Sequence, residues 1–188
     1  MTKFILHGGC TRVESESNRN FFKEITRDLN DGATIVCSFH AAPSESWSEK
    51  FDYIKNRFVL SAPEKTFNFI LADERVEGFV KQIQQANVVY FHGGDTLQLK
   101  NALCSIENLG ALLTNKVVAG SSAGANMLAR YSFSTNRKII VEGFGILPIK
   151  TFCHYAEDKV GELRMLKEFG EELEAHLIPE EHFAVIYK

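Results

Sequence analysis

The residues of this chain best suited to breaking a bond lie in Gly120-Ser121-Ser122-Ala123-Gly124. A short apolar run, Val117–Ala119, leads into this Gly-x-Ser-x-Gly, and an apolar helical pattern begins directly behind the serine. That order of strand, sharp turn and helix is what a nucleophile elbow requires, with Ser122 projecting above the sheet. Gly120 and Gly124 leave room for a tight turn and close strand–helix packing. The new helix would aim its first N–H groups and its positive dipole end at the serine oxygen. A small-residue turn that only permits close packing is the competing reading of such a motif.

A serine hydroxyl is a weak nucleophile until a base stands beside it. Six histidines are available. His7, His40 and His92 each end an expected strand, His176 lies on an expected exposed helix end, and His182 precedes the last strand. His154 follows the expected strand Thr151–Cys153 and precedes a turn, a position from which an imidazole can reach over a sheet edge.

The elements that must position these residues alternate along the chain. Strands are expected at Lys3–Leu6, Ala33–Phe39, Thr66–Leu71, Asn87–Phe91 and Val117–Ala119. Between them, helical spacing of apolar residues predicts helices over Ser17–Leu29, from Ser46 or Ser48 to about Phe58, over Asp73–Gln84 and over Thr96–Ile106. Short connections between alternating strands and helices imply a mostly parallel sheet covered on both faces. Two glycine turns, Gly93-Gly94 and Gly120 to Gly124, then stand at strand carboxyl ends, where open α/β sheets bind ligands. Beyond Tyr131 the pattern changes. Ser132–Arg137 reads as a polar turn, Ile139–Val141 and Thr151–Cys153 as short strands, and Phe183–Tyr187 as a closing strand. A helix over Asp158–Leu173 should bury Val160, Leu163, Leu166 and Phe169. With no repeat and no linker, residues 1–188 read as a single α/β domain with the elbow after its fifth strand.

Composition narrows the function classes. The 188 residues are 45% hydrophobic and 24% charged, with net charge −3, an ordinary globular balance with no electrostatic footprint for nucleic acid. No apolar run approaches the ~20 residues that span a bilayer. The four cysteines are scattered without a Cys-x-x-Cys pair, the usage expected of reduced thiols in a cytoplasmic protein rather than a disulfide frame or metal knot.

Three stretches together resemble the dipeptidase E and cyanophycinase family of serine peptidases. Gly120-Ser121-Ser122-Ala123-Gly124-Ala125-Asn126 resembles that family's serine signature. Val89 through Leu99, containing His92-Gly93-Gly94-Asp95-Thr96, resembles its Gly-Gly-(Asn/Asp)-Thr motif. Gly145-Ile146-Leu147-Pro148 through Cys153-His154-Tyr155 resembles the stretch in which the catalytic histidine precedes an aromatic residue, and Gly161-Glu162-Leu163-Arg164 echoes a further pattern. The resemblance covers most of the chain in the family's order. It implies a fold similar to class I glutamine amidotransferases and peptide hydrolysis without metal or organic cofactor. It also implies Ser122 as nucleophile, His154 as base and then acid, and an oxyanion hole from the Ala123 N–H with one from the Gly93-Gly94-Asp95 turn, here assigned to Gly94.

The third catalytic member is where the chain departs from its relatives. Dipeptidase E places an aspartate between serine and histidine, but Ser134-Thr135-Asn136-Arg137-Lys138 contains no carboxylate. Glu142, in the same segment, is ranked first to replace it. Glu157, Asp158, Glu180 and Glu181 follow, and a Ser–His dyad oriented by a backbone carbonyl is the remaining option. An aspartyl substrate, the kind this family cleaves, would call for a cation beside the cleft. Arg137 and Arg130 are the candidates, with Arg137 preferred. The expected partner is a small peptide substrate, with neither nucleic acid nor membrane. A chain stopping after its final strand leaves a sheet edge open, or covered by a second subunit in a homodimer. The reading is of a serine hydrolase cleaving small peptides, aspartyl dipeptides among them, by an acyl-enzyme mechanism. The alternative is a weak or inactive member of the same fold that binds a small ligand or partner. An α/β-hydrolase esterase shares the Gly-x-Ser-x-Gly but needs a longer chain after the elbow.

Overall fold

In the computed structural model, which describes Met1–Lys188, strands and helices alternate as far as the elbow. The elements are β1 (Lys3–His7), α1 (Glu16–Thr26), β2 (Ala33–Ser38), α2 (Trp47–Ser61), β3 (Phe67–Leu71), α3 (Val76–Gln85), β4 (Val88–Phe91), α4 (Thr96–Leu103), α5 (Leu109–Leu112), β5 (Val117–Ser121), α6 (Ala123–Leu128), β6 (Ala129–Ser134), β7 (Ile139–Glu142), β8 (Leu147–Cys153), α7 (Val160–Glu168), β9 (Ala175–Ile178) and β10 (Phe183–Tyr187). Two sheets result, one in the order β10-β1-β5-β4-β2-β3 and one in the order β7-β6-β8-β9.

Five strands of the larger sheet run parallel, and β10 pairs antiparallel with β1 at one edge. Side chains of a strand alternate between its faces, and the core follows that period. Phe4, Leu6, Val36, Val89, Phe91 and Val118 enter one buried cluster. Ile5, Ile35, Cys37, Val88, Tyr90 and Ala119 enter a second cluster on the opposite face. This is the doubly covered α/β sheet expected from the alternation. Side-chain caps start two of the covering helices: Ser15 accepts from the Asn18 N–H ahead of α1, and Asp95 from the Gln98 N–H ahead of α4. Ser46 precedes α2 but makes no such bond.

The register brings the carboxyl ends of the central strands level. His7 lies opposite Ser121, Phe91 opposite Gly120, and Ser38 opposite Phe91. The loops after β1, β4 and β5 therefore leave from one edge.

The second sheet departs from the expectation of a polar turn at Ser132–Arg137. Residues Ala129–Ser134 form β6, parallel to β8 and antiparallel to β7. Tyr131 and Phe133 pack with Phe152 and Leu166 in a third apolar cluster, while Ser132 is buried and donates to the Val141 carbonyl at 3.3 Å. The serines hide an alternating strand by being buried and hydrogen-bonded on its other face. Strand β9 and helix α5 are likewise elements without a sequence expectation. Helix α7 is shorter than Asp158–Leu173, and its expected apolar face is only partly buried. Leu166 is buried, whereas Val160 is 65% and Phe169 46% exposed. No helix is long and apolar enough to cross a membrane, and all four cysteines are free.

Candidate active site

At the end of β5 the chain turns sharply. Ser122 has φ 49° and ψ −106°, a region unfavourable for a side chain and worth about 1–3 kcal/mol of strain. The surroundings leave the backbone no other course. A Cβ on Gly120 would stand 2.5 Å from the Gly124 carbonyl carbon, and one on Gly124 would stand 2.2 Å from the Phe91 oxygen. The Ser122 N–H is tied to the His7 carbonyl at 2.8 Å, and its carbonyl accepts the Asn126 N–H at 2.9 Å. Strand β5 and α6 thus pack at backbone contact, and Ser122 is pushed out at the level edge of the sheet.

The imidazole comes from the other sheet. His154 directly follows β8 and is anchored by its own N–H to the Gly8 carbonyl at 3.0 Å, in a left-handed conformation with φ 56°. Its Nε2 lies 2.8 Å from Ser122 Oγ. Gly9 lies against the ring, since a Cβ there would meet His154 Cε1 at 2.1 Å. The opposite ring nitrogen, Nδ1, is 2.9 Å from Glu180 Oε1. Glu180 sits in the connection between β9 and β10, which is held to the first glycine turn by the Glu181 N–H bonding the Gly9 carbonyl at 3.0 Å. Hydrogen bonds from His154 and then from Cys10 hold the Glu180 carboxyl below its ordinary range, so it stands ionised. With a carboxylate on Nδ1, the ring proton belongs on Nδ1 and Nε2 is free to accept from Ser122.

Glu142 is not in this chain of hydrogen bonds. Its carboxylate is ion-paired to Arg130 at 2.8 Å, and the same guanidinium bonds Glu171 at 3.1 Å. It lies at the end of β7, opposite Tyr131, in the strand pairing that the sequence concealed. Glu157, Asp158 and Glu181 make no side-chain bond to His154 either. Glu180 was visible only as one of several acids near the last strand. Nothing in its spacing shows that the β9–β10 connection returns to His154.

The second glycine turn faces the elbow. A Cβ on Gly93 would stand 3.4 Å from the Ser122 Cβ, so the turn already touches the serine. Gly94, at φ 152°, is closed to any side chain because a Cβ would lie 2.2 Å from the Ala41 carbonyl. The Ala123 N–H, at the first position of α6, has no intrahelical partner. Neither it nor the Gly94 N–H is used in a turn or loop hydrogen bond. Both N–H groups, one directly after Ser122 and one in the turn that faces it, are therefore unused within the protein. His92, just before this turn, accepts the Gly93 N–H on Nδ1 at 2.7 Å. Burial, with the nearby charges of Lys50 and Arg12, lowers its pKa to about 4 and keeps it neutral.

Arg137 does not point a free cation at the serine. Its Nε and a terminal nitrogen bond Asp95 Oδ2 at 2.8 and 2.7 Å. Asp95 is simultaneously the cap of α4. Burial opposes ionisation of Asp95, but the Gln98 N–H and Arg137 outweigh it and lower its pKa. Arg137 therefore braces the Gly93-Gly94-Asp95 turn. Arg130 is engaged by Glu142 and Glu171. The cation that does line the cleft is Arg12, in the loop after β1. That cleft of about 360 Å³ is bounded by Gly9–Val13, His92–Gly94, Ser121, Ser122, Asn136 and His154. Arg12 is exposed and has no carboxylate partner. Sequence reading missed it because the loop after β1 carried no motif.

A serine bonded to an imidazole, with an ionised carboxylate behind the ring and unused N–H donors in the adjoining turns, can do nucleophilic acyl chemistry. Comparison with known proteins points the same way. Residues 4–183 match the model of Peptidase family S51. A search of curated proteins finds no sequence match. Among solved structures, the chain is similar to a peptidase from an acI-B1 Actinobacterium, with TM-score 0.69 and 20% identity over 99% of this chain and 83% of that one. It is also similar to a putative peptidase E protein from Listeria monocytogenes EGD-e, with TM-score 0.65 and 15% identity over 99% of this chain and 94% of that one. At those identities the structures carry the fold. The family match spans nearly the whole chain, and it makes this protein a member of peptidase family S51, a serine-type peptidase.

Proposed function

We propose that the protein hydrolyses small peptides through an acyl-enzyme formed on Ser122. The observation that carries this reading is the continuous hydrogen-bonded line from Ser122 Oγ through His154 to Glu180. Ser122 Oγ attacks the scissile carbonyl while its proton passes to His154 Nε2. The developing oxyanion is met by the N–H groups of Gly94 and Ala123. Glu180 holds the ring proton on Nδ1 and stabilises the imidazolium that forms. His154 then gives its proton to the leaving amine, the carbon–nitrogen bond breaks, and the acyl-enzyme remains. Water, deprotonated by the same Nε2, attacks the ester and releases Ser122.

Size and charge suggest the substrate. A 360 Å³ cleft lies at the small end of ligand sites, suited to a dipeptide rather than a folded protein. Arg12 at its rim favours an acidic side chain or a terminal carboxylate. Glu180 on His154 Nδ1 supports the catalytic reading over the non-catalytic one that the absent aspartate suggested. A panel of Asp-X, β-Asp-X and neutral dipeptides tests the proposal. Hydrolysis should require Ser122 and favour the acidic members. Arg12→Gln should raise KM for them by roughly tenfold, the worth of one charge-assisted hydrogen bond. Turnover by Ser122→Ala at the wild-type rate would refute the mechanism.

A further inference from the structure

Beside the His154–Glu180 pair stands a group that the peptidase chemistry does not use. Cys10 Sγ, a His154 ring nitrogen and a Glu180 carboxylate oxygen all lie within 4.8 Å of one another, and the ring nitrogen that meets Glu180 is Nδ1. They come from three separate connections, after β1, after β8 and after β9, so the fold rather than local sequence gathers them. Cys10 is partly buried and also borders the open cleft, leaving a small ion a route to the sulfur.

Sulfur, imidazole nitrogen and carboxylate oxygen form a ligand set for a borderline-soft divalent ion. Calcium and magnesium require oxygen alone. Three protein ligands with a fourth position open to water is a familiar arrangement for zinc. Ligand atoms around tetrahedral zinc stand roughly 3–4 Å apart. The His154–Glu180 pair, at 2.9 Å, opens by a few tenths of an ångström and the sulfur closes in.

We propose that Cys10, His154 and Glu180 form an inhibitory binding site for a zinc-class divalent cation. The inhibition rests on the reading of His154 as the base, whereas the binding does not. A metal bound to Nδ1 takes the lone pair there, so the single ring proton of neutral His154 must sit on Nε2. That nitrogen faces Ser122 Oγ. It becomes a donor to the serine and cannot accept its proton. Charge balance is met by loss of the Cys10 thiol proton to solvent, while the former Nδ1 proton is replaced by metal and the ring is reprotonated on Nε2. The carboxylate is drawn to the metal and ceases to orient the ring. One ion therefore disables the base by fixing the wrong tautomer, leaving Ser122 and both oxyanion donors untouched.

Metal-free full-length protein is titrated with cobalt(II), and the thiolate-to-cobalt charge-transfer absorption is followed. Wild type and Ser122→Ala should both develop it, and Cys10→Ser and Cys10→Ala should not. In parallel, the rate of fluorophosphonate labelling of Ser122 is measured in zinc buffers, each variant against its own metal-free rate. Wild-type labelling should fall about tenfold when free zinc is ten times its dissociation constant, and a chelator should restore it. In Cys10→Ser the zinc required should rise at least ~100-fold, the loss of a direct ligand exceeding that of an outer partner. Equal zinc sensitivity in wild type and Cys10→Ser would overturn the site. So would a cobalt–thiolate band without any effect of zinc on labelling. Wild type that is never labelled, even without metal, would instead overturn the peptidase reading, and the cobalt spectrum would still decide the metal site.

Discussion

Replacing Glu180 by Gln removes the charge behind His154 while keeping nearly the same shape. Oε1 and Nδ1 are 2.9 Å apart. At that separation an ion pair is worth about 1.4 kcal/mol in water and about 6 kcal/mol at an effective dielectric of 20. The Glu180 side chain is 55% exposed and that of His154 25%, so the lower half of this range applies. A barrier increase of about 3 kcal/mol corresponds to a loss of roughly 10²-fold in kcat. That is less than the ~10⁴ attached to the amide variant of a buried orienting aspartate, because the exposed side chain in Glu180→Gln is free to turn its carbonyl oxygen towards Nδ1. Because the pair is solvent-accessible, added salt should narrow the difference between wild type and variant. The assay is kcat and KM on the best dipeptide, with fluorophosphonate labelling as a substrate-independent check. KM should change little, because Glu180 touches the base rather than the cleft. Glu142→Gln is the companion variant and should keep full activity, since Glu142 only bridges Arg130. Unchanged kcat in Glu180→Gln, with loss in Glu142→Gln, would refute the assignment.

Three further outcomes follow from the geometry. Gly120→Ala places a Cβ 2.5 Å from backbone, and the overpacking should cost at least about 2 kcal/mol, read as a Tm drop of roughly 4–8 °C for a chain of this size. Gly9→Ala pushes a methyl into the His154 ring at 2.1 Å. Labelling of Ser122 should slow by ~10², the usual effect of an ångström of misplacement, and a near-wild-type rate would show that the ring does not depend on Gly9. His7 and His92 are each lowered from 6.5 to about 4, chiefly by burial. Unfolding returns both to 6.5, so the unfolded chain binds more protons between those values. Stability is therefore full above pH 6.5 and is lost as pH falls towards 4, by at most about 3 kcal/mol per histidine. Denaturant melts across that window should show the slope, and His92→Asn, which keeps an acceptor for the Gly93 N–H, should flatten it.

What could be read in advance was whatever a local pattern encodes. The elbow is written in Gly120 and Gly124, each of which excludes a Cβ for a reason visible in the fold. The opposing turn is written in Gly93-Gly94, and the layered sheet in the alternation of Val88–Phe91 and its neighbours. His154 could be singled out by its position after a strand, with the family resemblance, but not its 2.8 Å approach to Ser122. Strands β7 and β8 are in part legible, but β6 is not, because it buries Ser132 and Ser134, whose polarity imitates a turn until their partners are known. The misassigned acid is a consequence of that error. Glu142 looked close to the serine in sequence, yet β7 turns it towards Arg130. Glu180 reaches His154 only because β9 and β10 belong to different sheets and the chain must cross the site to pass between them.

That crossing divides the site into parts with different freedom to change over evolutionary time. The turn that carries Ser122 is held at backbone contact through Gly120 and Gly124, so a substitution at either glycine disturbs the β5–α6 packing before it alters chemistry. Glu180 stands on an exposed connection and needs only to place one oxygen within reach of Nδ1. A lineage could transfer the orienting duty to another loop around His154 without repacking the core. The carboxylate is thus the replaceable component of this catalytic apparatus, and its position is the feature by which descendants of one scaffold would be expected to diverge first.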